Sequence, residues 1–179
     1  MTLLRRYRYS ILGSMDVKET ICPGCGLQLK SKSMDLAARF NASSACLELQ
    51  WDLSALTLSL RDKDFIHQLV VDAYAAQHSG ANVKPVTTAF ALIGLDLVFE
   101  RGYTGRQVQK VHIALGKTRR QWPHFVPPSG KAALTVRDVL ENVSRDSYAG
   151  WVYQWGKSVW DLWQAEHVEI SRLVHQSGF

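Results

Sequence analysis

The chain has 179 residues, of which 46% are hydrophobic and 21% are charged, and its formal net charge is +5 at pH 7. This length and this apolar fraction predict one globular domain with a sizeable core, and they argue against two domains. The positive charge is modest and spread along the chain, so it favours acidic partners only weakly.

The N-terminus, MTLLRRYRYSILGSM, lacks the apolar run of about 7 to 15 residues that a secretory signal needs. The most apolar stretch, residues 86–99, is shorter than the roughly 20 residues that cross a bilayer, and it contains Asp96. We therefore expect a cytoplasmic protein. In that reducing environment a cysteine pair more often binds a metal or does redox chemistry than forms a structural disulfide.

The predicted elements divide the single domain, 1–179, into an N-terminal knuckle segment (1–33) and a helical part (34–179). The segment up to about Lys32 is rich in arginine, glycine and serine, and we predict an extended or irregular structure for it. A first helix is predicted over 43–59, with Ser43 or Ser44 as N-cap. A second runs from a cap at Asp62 or Asp64 to Gly80, whose residue type terminates helices.

Further helices are predicted from Pro85 to Gly102 and from Gly105 to Gly116, followed by a proline-rich loop over 119–131. A fifth begins at a Thr135 cap, and a long final helix spans 144–176. Several tryptophans share one face of that final helix, whereas Trp160 lies off this stripe and is free to face a partner or a ligand. The fold class predicted is all-α, a compact helical bundle with an irregular N-terminal zinc-knuckle segment.

The stretch ICPGCGL places Cys22 and Cys25 two residues apart. This spacing lets both thiolates reach one ion, and the glycines permit the tight turn with free backbone amides that zinc knuckles use. A closed site needs two more ligands. His67 and His78 do not both supply them, because they lie about 16.5 Å apart along one continuous helix.

Cys46 and His78 are the better candidates. If the first two helices form an antiparallel hairpin that turns near residues 61 and 62, position n faces about position 123 minus n, which puts Cys46 beside His78. The chain enters the bundle from the knuckle at this same end. The predicted metal ligands, with Zn²⁺ as the cofactor, are therefore Cys22, Cys25, Cys46 and His78.

Other interpretations of these residues stay open. Cys46 suits a small buried apolar position, and His78 suits a helix C-terminus, where the dipole favours a positive charge. Cys22 and Cys25 are also spaced as a redox pair, although the strand-then-helix context typical of such pairs is missing.

The segments CPGCGL, ASSACLEL, HQLVVDAYAAQHSG and LIGLDLVFERG, with the tryptophan-rich WVYQWGKSVWDLWQAEH, resemble a family of uncharacterised bacterial proteins known as a domain of unknown function. The resemblance covers residues 21–167, and it implies no activity. The resemblance implies eight motif positions in this chain: Cys22, Cys25, Cys46, His67, Asp72, Tyr74, Gln77 and His78. The chain departs from the family pattern at Ala91, where a histidine is frequent, which weakens any second histidine site.

A polar stripe on the second helix is the other candidate for chemistry. His67 and Asp72 are imidazole and carboxylate groups in an apolar helix, and with His167 they make a candidate metal or acid–base site. The alternative is that they are buried polar groups whose hydrogen bonds tie helices together. The sequence has no H-E-x-x-H, no G-x-S-x-G and no phosphate-cradling glycine loop, and the zinc deaminase pattern is absent upstream of Cys22.

Two basic clusters interleaved with aromatic residues are candidate nucleic-acid contacts, because arginine pairs with phosphate and aromatic rings stack on bases. Their arginines are Arg5, Arg6, Arg8, Arg119 and Arg120. Such clusters are also common as solvated chain ends and loops.

The function expected is that of a zinc-stabilised small helical binding or regulatory protein, with a protein as the favoured partner and a nucleic acid as the alternative. Four protein ligands leave no open position for water or substrate, so the metal is expected to be structural. The competing prediction is a zinc-dependent enzyme, a hydrolase, with a site near His67, Asp72 and His78. That activity needs a zinc ion that keeps a labile water.

Overall fold

The computed structural model describes residues 19–31, 39–118, 121–142, 144 and 147–179. Within these ranges the chain forms two short strands and seven α-helices, which confirms the prediction of a helical fold. The strands are β1 (Glu19–Ile21) and β2 (Gln28–Lys30). The helices are α1 (Ser44–Ser59), α2 (His67–Gln77), α3 (Pro85–Phe99), α4 (Gly105–Thr118), α5 (Val136–Asn142), α6 (Tyr148–Leu162) and α7 (His167–Gln176).

Helices α1 and α2 form the predicted hairpin. Ser43 caps α1 by accepting a hydrogen bond from the backbone N–H of Cys46 at 3.3 Å. Helix α2 begins at His67, later than the predicted cap at Asp62 or Asp64. The reason is local, because the Asp62 carboxylate accepts the Ile66 N–H at 2.7 Å and so closes a turn before the helix. Phe65 also has φ +57°, which interrupts helical backbone.

Helices α2 and α3 form the centre of the molecule, packed closely against each other, with α6 across α2 and α7 against α3. Both α3 and α6 approach α2 closely at a glycine. A Cβ atom at Gly94 of α3 would lie 2.1 Å from Asp72 Oδ2, and a Cβ atom at Gly156 of α6 would lie 2.9 Å from Leu69 Cδ1. No helix in the described part of the chain is long and apolar enough to span a membrane.

The prediction of one long C-terminal helix over 144–176 is wrong. Helix α6 ends at Leu162, and a 3₁₀ turn (Gln164–Glu166) separates it from α7. The break is held by His167, whose ring stacks on Trp160 with centroids 3.7 Å apart and whose Nε2 lies 3.0 Å from the Trp160 carbonyl oxygen. Trp160 is fully buried and donates to Glu100 Oε1 at 2.7 Å, so it belongs to the core and does not face a partner.

Candidate metal centre

The knuckle is the tight turn between β1 and β2. The Cys22 N–H donates to the Leu27 carbonyl and the Gly26 N–H donates to the Cys22 carbonyl, both at 2.8 Å. Gly26 has φ +82°, a conformation that glycine adopts without strain. These bonds fold the turn so that Cys22 and Cys25 are both buried against the helices.

The other two side chains come from the open end of the α1–α2 hairpin. Cys46 lies in the first turn of α1, and His78 is the residue that ends α2. Both are fully buried, and Cys46 Sγ lies 3.3 Å from His78 Nε2. The hairpin register predicted from the sequence therefore places these two residues correctly.

The four side chains form one group whose thiol sulfurs and imidazole nitrogen all lie within 4.8 Å of one another. Cys25 Sγ and Cys46 Sγ are 3.7 Å apart, and all three cysteines are free thiols. Zinc–sulfur bonds of about 2.3 Å in a tetrahedron place two sulfurs roughly 3.8 Å apart. The spacing of the group therefore fits a tetrahedral ion of the size of Zn²⁺.

Tyr74 orients the histidine of this group. His78 Nδ1 donates to the Tyr74 carbonyl at 2.8 Å, which leaves Nε2 as the free ligand atom, and the two rings stack with centroids 3.9 Å apart. The Tyr74 hydroxyl also donates to Cys46 Sγ at 3.7 Å. The sequence assigns Tyr74 no role beyond a motif position, and the structure shows that it contacts both His78 and Cys46.

Two residues that sequence reasoning missed support the cluster, Lys131 at the knuckle and Asn41 at His78. Lys131 Nζ donates to the carbonyl oxygens of Pro23 and Gly24, both at 2.7 Å, and so brings a positive charge to the turn. The Asn41 N–H donates to the His78 carbonyl at 2.8 Å. The Lys131 contact has no sequence signal, because Lys131 lies in the proline-rich loop, more than 100 residues from the knuckle. The Asn41 contact is a backbone bond, which its side-chain type does not predict.

The three buried thiols oppose one another's ionisation. Hydrogen bonds from Cys25 and Cys46 lower the pKa of Cys22, and the same crowding raises the pKa of Cys25 to about 11. Hydrogen bonding to Cys22 and Cys25, together with burial, raises the pKa of Cys46. One thiolate thus makes the next one unfavourable, and a bound dication is what would let all three carry negative charge.

The candidate second site does not assemble as predicted. His67 Nδ1 lies 2.9 Å from the Thr57 hydroxyl oxygen, and His167 is held by Trp160. Asp72 instead accepts hydrogen bonds from the Gln68 amide at 3.0 and 3.1 Å. Among the described residues, the three cysteines and His78 are the only metal-ligand group of three or more, so His67, Asp72 and His167 do not make a metal site.

Gly24 provides a test of how tightly the knuckle packs on the histidine. A Cβ atom at this position would lie 2.4 Å from His78 Cδ2 and 2.6 Å from the Asn41 carbonyl oxygen. We expect Gly24→Ala to displace the imidazole and to destabilise the protein by about 1–3 kcal/mol, as overpacking does. Urea unfolding measures the loss, and Gly150→Ala is the matched control because a Cβ atom there meets nothing within 4 Å. Equal stability of the two variants would contradict the packing described.

Comparison with known proteins gives the chain a family. Comparisons with curated proteins and with solved structures gave no match. The model of a family of unknown function, DUF5946, matches residues 20–164. This range includes all four side chains of the cluster as well as His67 and Asp72. The arginines of the two basic clusters lie outside the residues that the structure describes; they are Arg5, Arg6, Arg8, Arg119 and Arg120. The chain therefore belongs to the family of unknown function DUF5946.

Proposed function

We propose that Cys22, Cys25, Cys46 and His78 bind one Zn²⁺ ion in a closed tetrahedral site that holds the knuckle on the helical bundle. The observation that carries this proposal is the burial of all four ligand atoms in one group within 4.8 Å. Three thiolates and one imidazole are a common ligand set of structural zinc. Lys131 supports the assignment, because such a site has a net negative charge and this ammonium group binds the same turn.

A structural role follows from the number of ligands. With four protein ligands zinc has no open position for water, and its binding energy goes into folding. The alternative, a zinc hydrolase near His67, Asp72 and His78, needs a water-bound ion and other ligands. His67 and Asp72 are instead hydrogen-bonded to Thr57 and Gln68, so the geometry favours the structural role.

Cobalt substitution tests the proposed coordination. Zn²⁺ has no d–d spectrum, whereas tetrahedral Co²⁺ bound by thiolates gives intense visible bands and a sulfur-to-metal charge-transfer band. We expect the protein refolded with Co²⁺ to show both, in a ratio of one ion per chain. His78→Cys, which offers a fourth sulfur, is expected to keep the tetrahedral bands and to intensify the charge transfer.

Two results would contradict this coordination. The weak spectrum of octahedral Co²⁺ would mean that water completes the shell and would revive the enzyme alternative. An unchanged spectrum in His78→Ala would exclude this imidazole as a ligand. The exposed His124 serves as the matched control in His124→Ala, which is expected to leave the spectrum unchanged.

We propose further that this zinc-stabilised fold is a binding or regulatory protein whose partner is a protein. The support is the outer face of α1, where Trp51 and Leu58 are 45% and 51% exposed and, at a spacing of seven residues, lie on one side of the helix with Ala55 between them. Exposed aromatic and aliphatic side chains at helical spacing are typical of helix-mediated protein contacts.

Photo-cross-linking tests this partner class. A photoreactive residue at position 58 is expected to capture one protein in cells, and Trp51→Asp is expected to abolish the capture while the fold stays unchanged. The same residue at the exposed position 117 is the control. Fluorescence anisotropy with labelled single-stranded RNA tests the alternative partner, a nucleic acid bound through the arginine clusters. Salt-sensitive RNA binding without a specific cross-link at position 58 would favour that alternative.

A further inference from the structure

A second feature of the molecule lies near the metal centre and shares none of its four ligands. A cavity of about 330 Å³ opens between α2, α3, α4 and residues 39–40. This volume is within the range of small-molecule sites in proteins. Its lining includes Phe40, Val71, Asp72, Phe90, Ala91 and His112.

A carboxyl group forms the polar part of this cavity. Asp72 is only 3% exposed, and both of its oxygens accept hydrogen bonds from one donor, the Gln68 amide. Oδ2 packs against Gly94, where a side chain would collide with it. Burial raises the pKa of this carboxyl well above its usual range, since no cation in the described part of the chain balances its charge.

The other titratable groups that line the cavity do not supply that cation. His112 lies near Gln68, with Nδ1 3.4 Å from the amide nitrogen, and its Nε2 has no hydrogen-bond partner among the described residues. Burial lowers the pKa of His112 to about 4, which keeps the ring neutral near pH 7. Arg39 is exposed at the rim, with its guanidinium 5.2 Å from the centroid of the Phe40 ring. Among the described residues, the polar partner of Asp72 is Gln68 and not Arg39.

Most of the remaining wall residues are apolar or aromatic. Phe90 packs between His112 and Trp122, with ring centroids 4.9 and 4.7 Å away. Val71, Val86 and Ala91 add aliphatic surface, and Thr87 also lines the cavity. Aromatic faces attract a cation, and aliphatic walls accept an apolar body. The cavity thus combines one buried carboxyl with surfaces suited to an organic cation.

We propose that this cavity binds a small organic cation, an ammonium group on an apolar body, with Asp72 as its counter-ion and Phe40 and Phe90 as its aromatic walls. Among the residues that the structure describes, Gln68 is the hydrogen-bond partner of the Asp72 carboxyl and no cation pairs with it, and the ligand would supply this positive charge. This inference goes beyond the zinc site and does not depend on it for its chemistry.

The metal centre nevertheless positions one wall of the cavity. The Phe40 ring meets Tyr74 edge-on at 5.3 Å, and Tyr74 in turn stacks on His78. The next residue, Asn41, is bonded to the His78 carbonyl. A protein without its metal is therefore expected to bind the cation more weakly, and every binding measurement is made on metal-loaded protein.

The test compares three probes of nearly equal shape by isothermal titration calorimetry: 2-phenylethylamine, which is a cation near pH 7, the neutral 2-phenylethanol and the anion 3-phenylpropanoate. We expect the amine to bind best, at least about tenfold more tightly than the alcohol, since a charge-assisted hydrogen bond is added. We expect the anion not to bind. No binding of the amine, or tighter binding of the anion, would overturn the proposal.

Two variants locate the binding. Asp72→Asn keeps the shape of the side chain and is expected to weaken amine binding by about tenfold or more while the alcohol is unaffected. Val71→Phe, at a half-buried wall position, is expected to fill the cavity and to abolish binding of both probes, so the location is testable even if Asp72→Asn does not fold. Unchanged amine affinity in either folded variant would refute the site. Zinc content is measured in each variant and is expected to stay at one per chain, which separates failure of this inference from failure of the proposed metal site.

Discussion

Replacement of Cys46 by serine is expected to release the metal and to unfold the protein. The serine hydroxyl does not replace a thiolate as a zinc ligand, and structural zinc contributes an apparent binding free energy of about 10–16 kcal/mol near pH 7. The whole stability of a domain is only about 5–15 kcal/mol. Circular dichroism and metal analysis of the purified variant measure both effects.

The Cys46→Ala variant shows whether Cys46 is a zinc ligand or only a small apolar residue of the core. Cys46 is fully buried, so its sulfur would matter even without a metal. If Cys46 is only a small apolar residue, alanine leaves a small cavity and is tolerated much better than serine, whose hydroxyl is polar. If it is a zinc ligand, alanine and serine are equally damaging. A folded, stable Cys46→Ala protein would therefore contradict the metal site.

Replacement of Trp155 by alanine is expected to be the most damaging change in the core away from the metal. The indole is fully buried where α6 packs on α2, and its Nε1 donates to Gln77 Oε1 at 3.0 Å. The Gln77 amide in turn donates to the Leu134 carbonyl at 2.8 Å, which connects α2 to the segment before α5. We expect a loss of about 3–5 kcal/mol in the free energy of unfolding, measured by urea denaturation.

Trp51→Ala is the matched control for this prediction, because Trp51 is 45% exposed on the outer face of α1. We expect it to change stability by no more than about 0.5 kcal/mol. Trp155→Phe, which keeps the aromatic ring but loses the donor to Gln77, is expected to fall between the two. Equal effects of Trp155→Ala and Trp51→Ala would mean that the α2–α6 contact is not a principal part of the core.

The metal-ligand cluster was predictable because each half of it has local geometry, one half in the knuckle and the other in the α1–α2 hairpin. The Cys22 and Cys25 spacing is readable directly, and Cys46 and His78 follow from two helix lengths and one turn. Small errors at the turn did not matter. Helix α2 begins at His67, later than the predicted cap at Asp62 or Asp64. The pairing of the two helices is nevertheless as predicted, because Cys46 contacts His78 and Thr57 contacts His67.

What the sequence did not predict depends on contacts between distant residues. The break after Leu162 comes from a His167–Trp160 stack that a helical pattern does not reveal. The sequence marks Asp72 as a polar residue in an apolar helix, but its surroundings come from α3 and α4. Only the packing shows that Phe90 and His112, not His67 and His167, share its cavity.

The most direct test of the metal site is elemental analysis of protein purified without added metal, on the unmodified chain and on His78→Ala. We predict one zinc per chain in the unmodified protein, and zinc loss with unfolding in the variant. A folded, unmodified protein with no bound metal, or a His78→Ala protein that retains its full zinc content, would contradict the assignment of Cys22, Cys25, Cys46 and His78 as a structural zinc site.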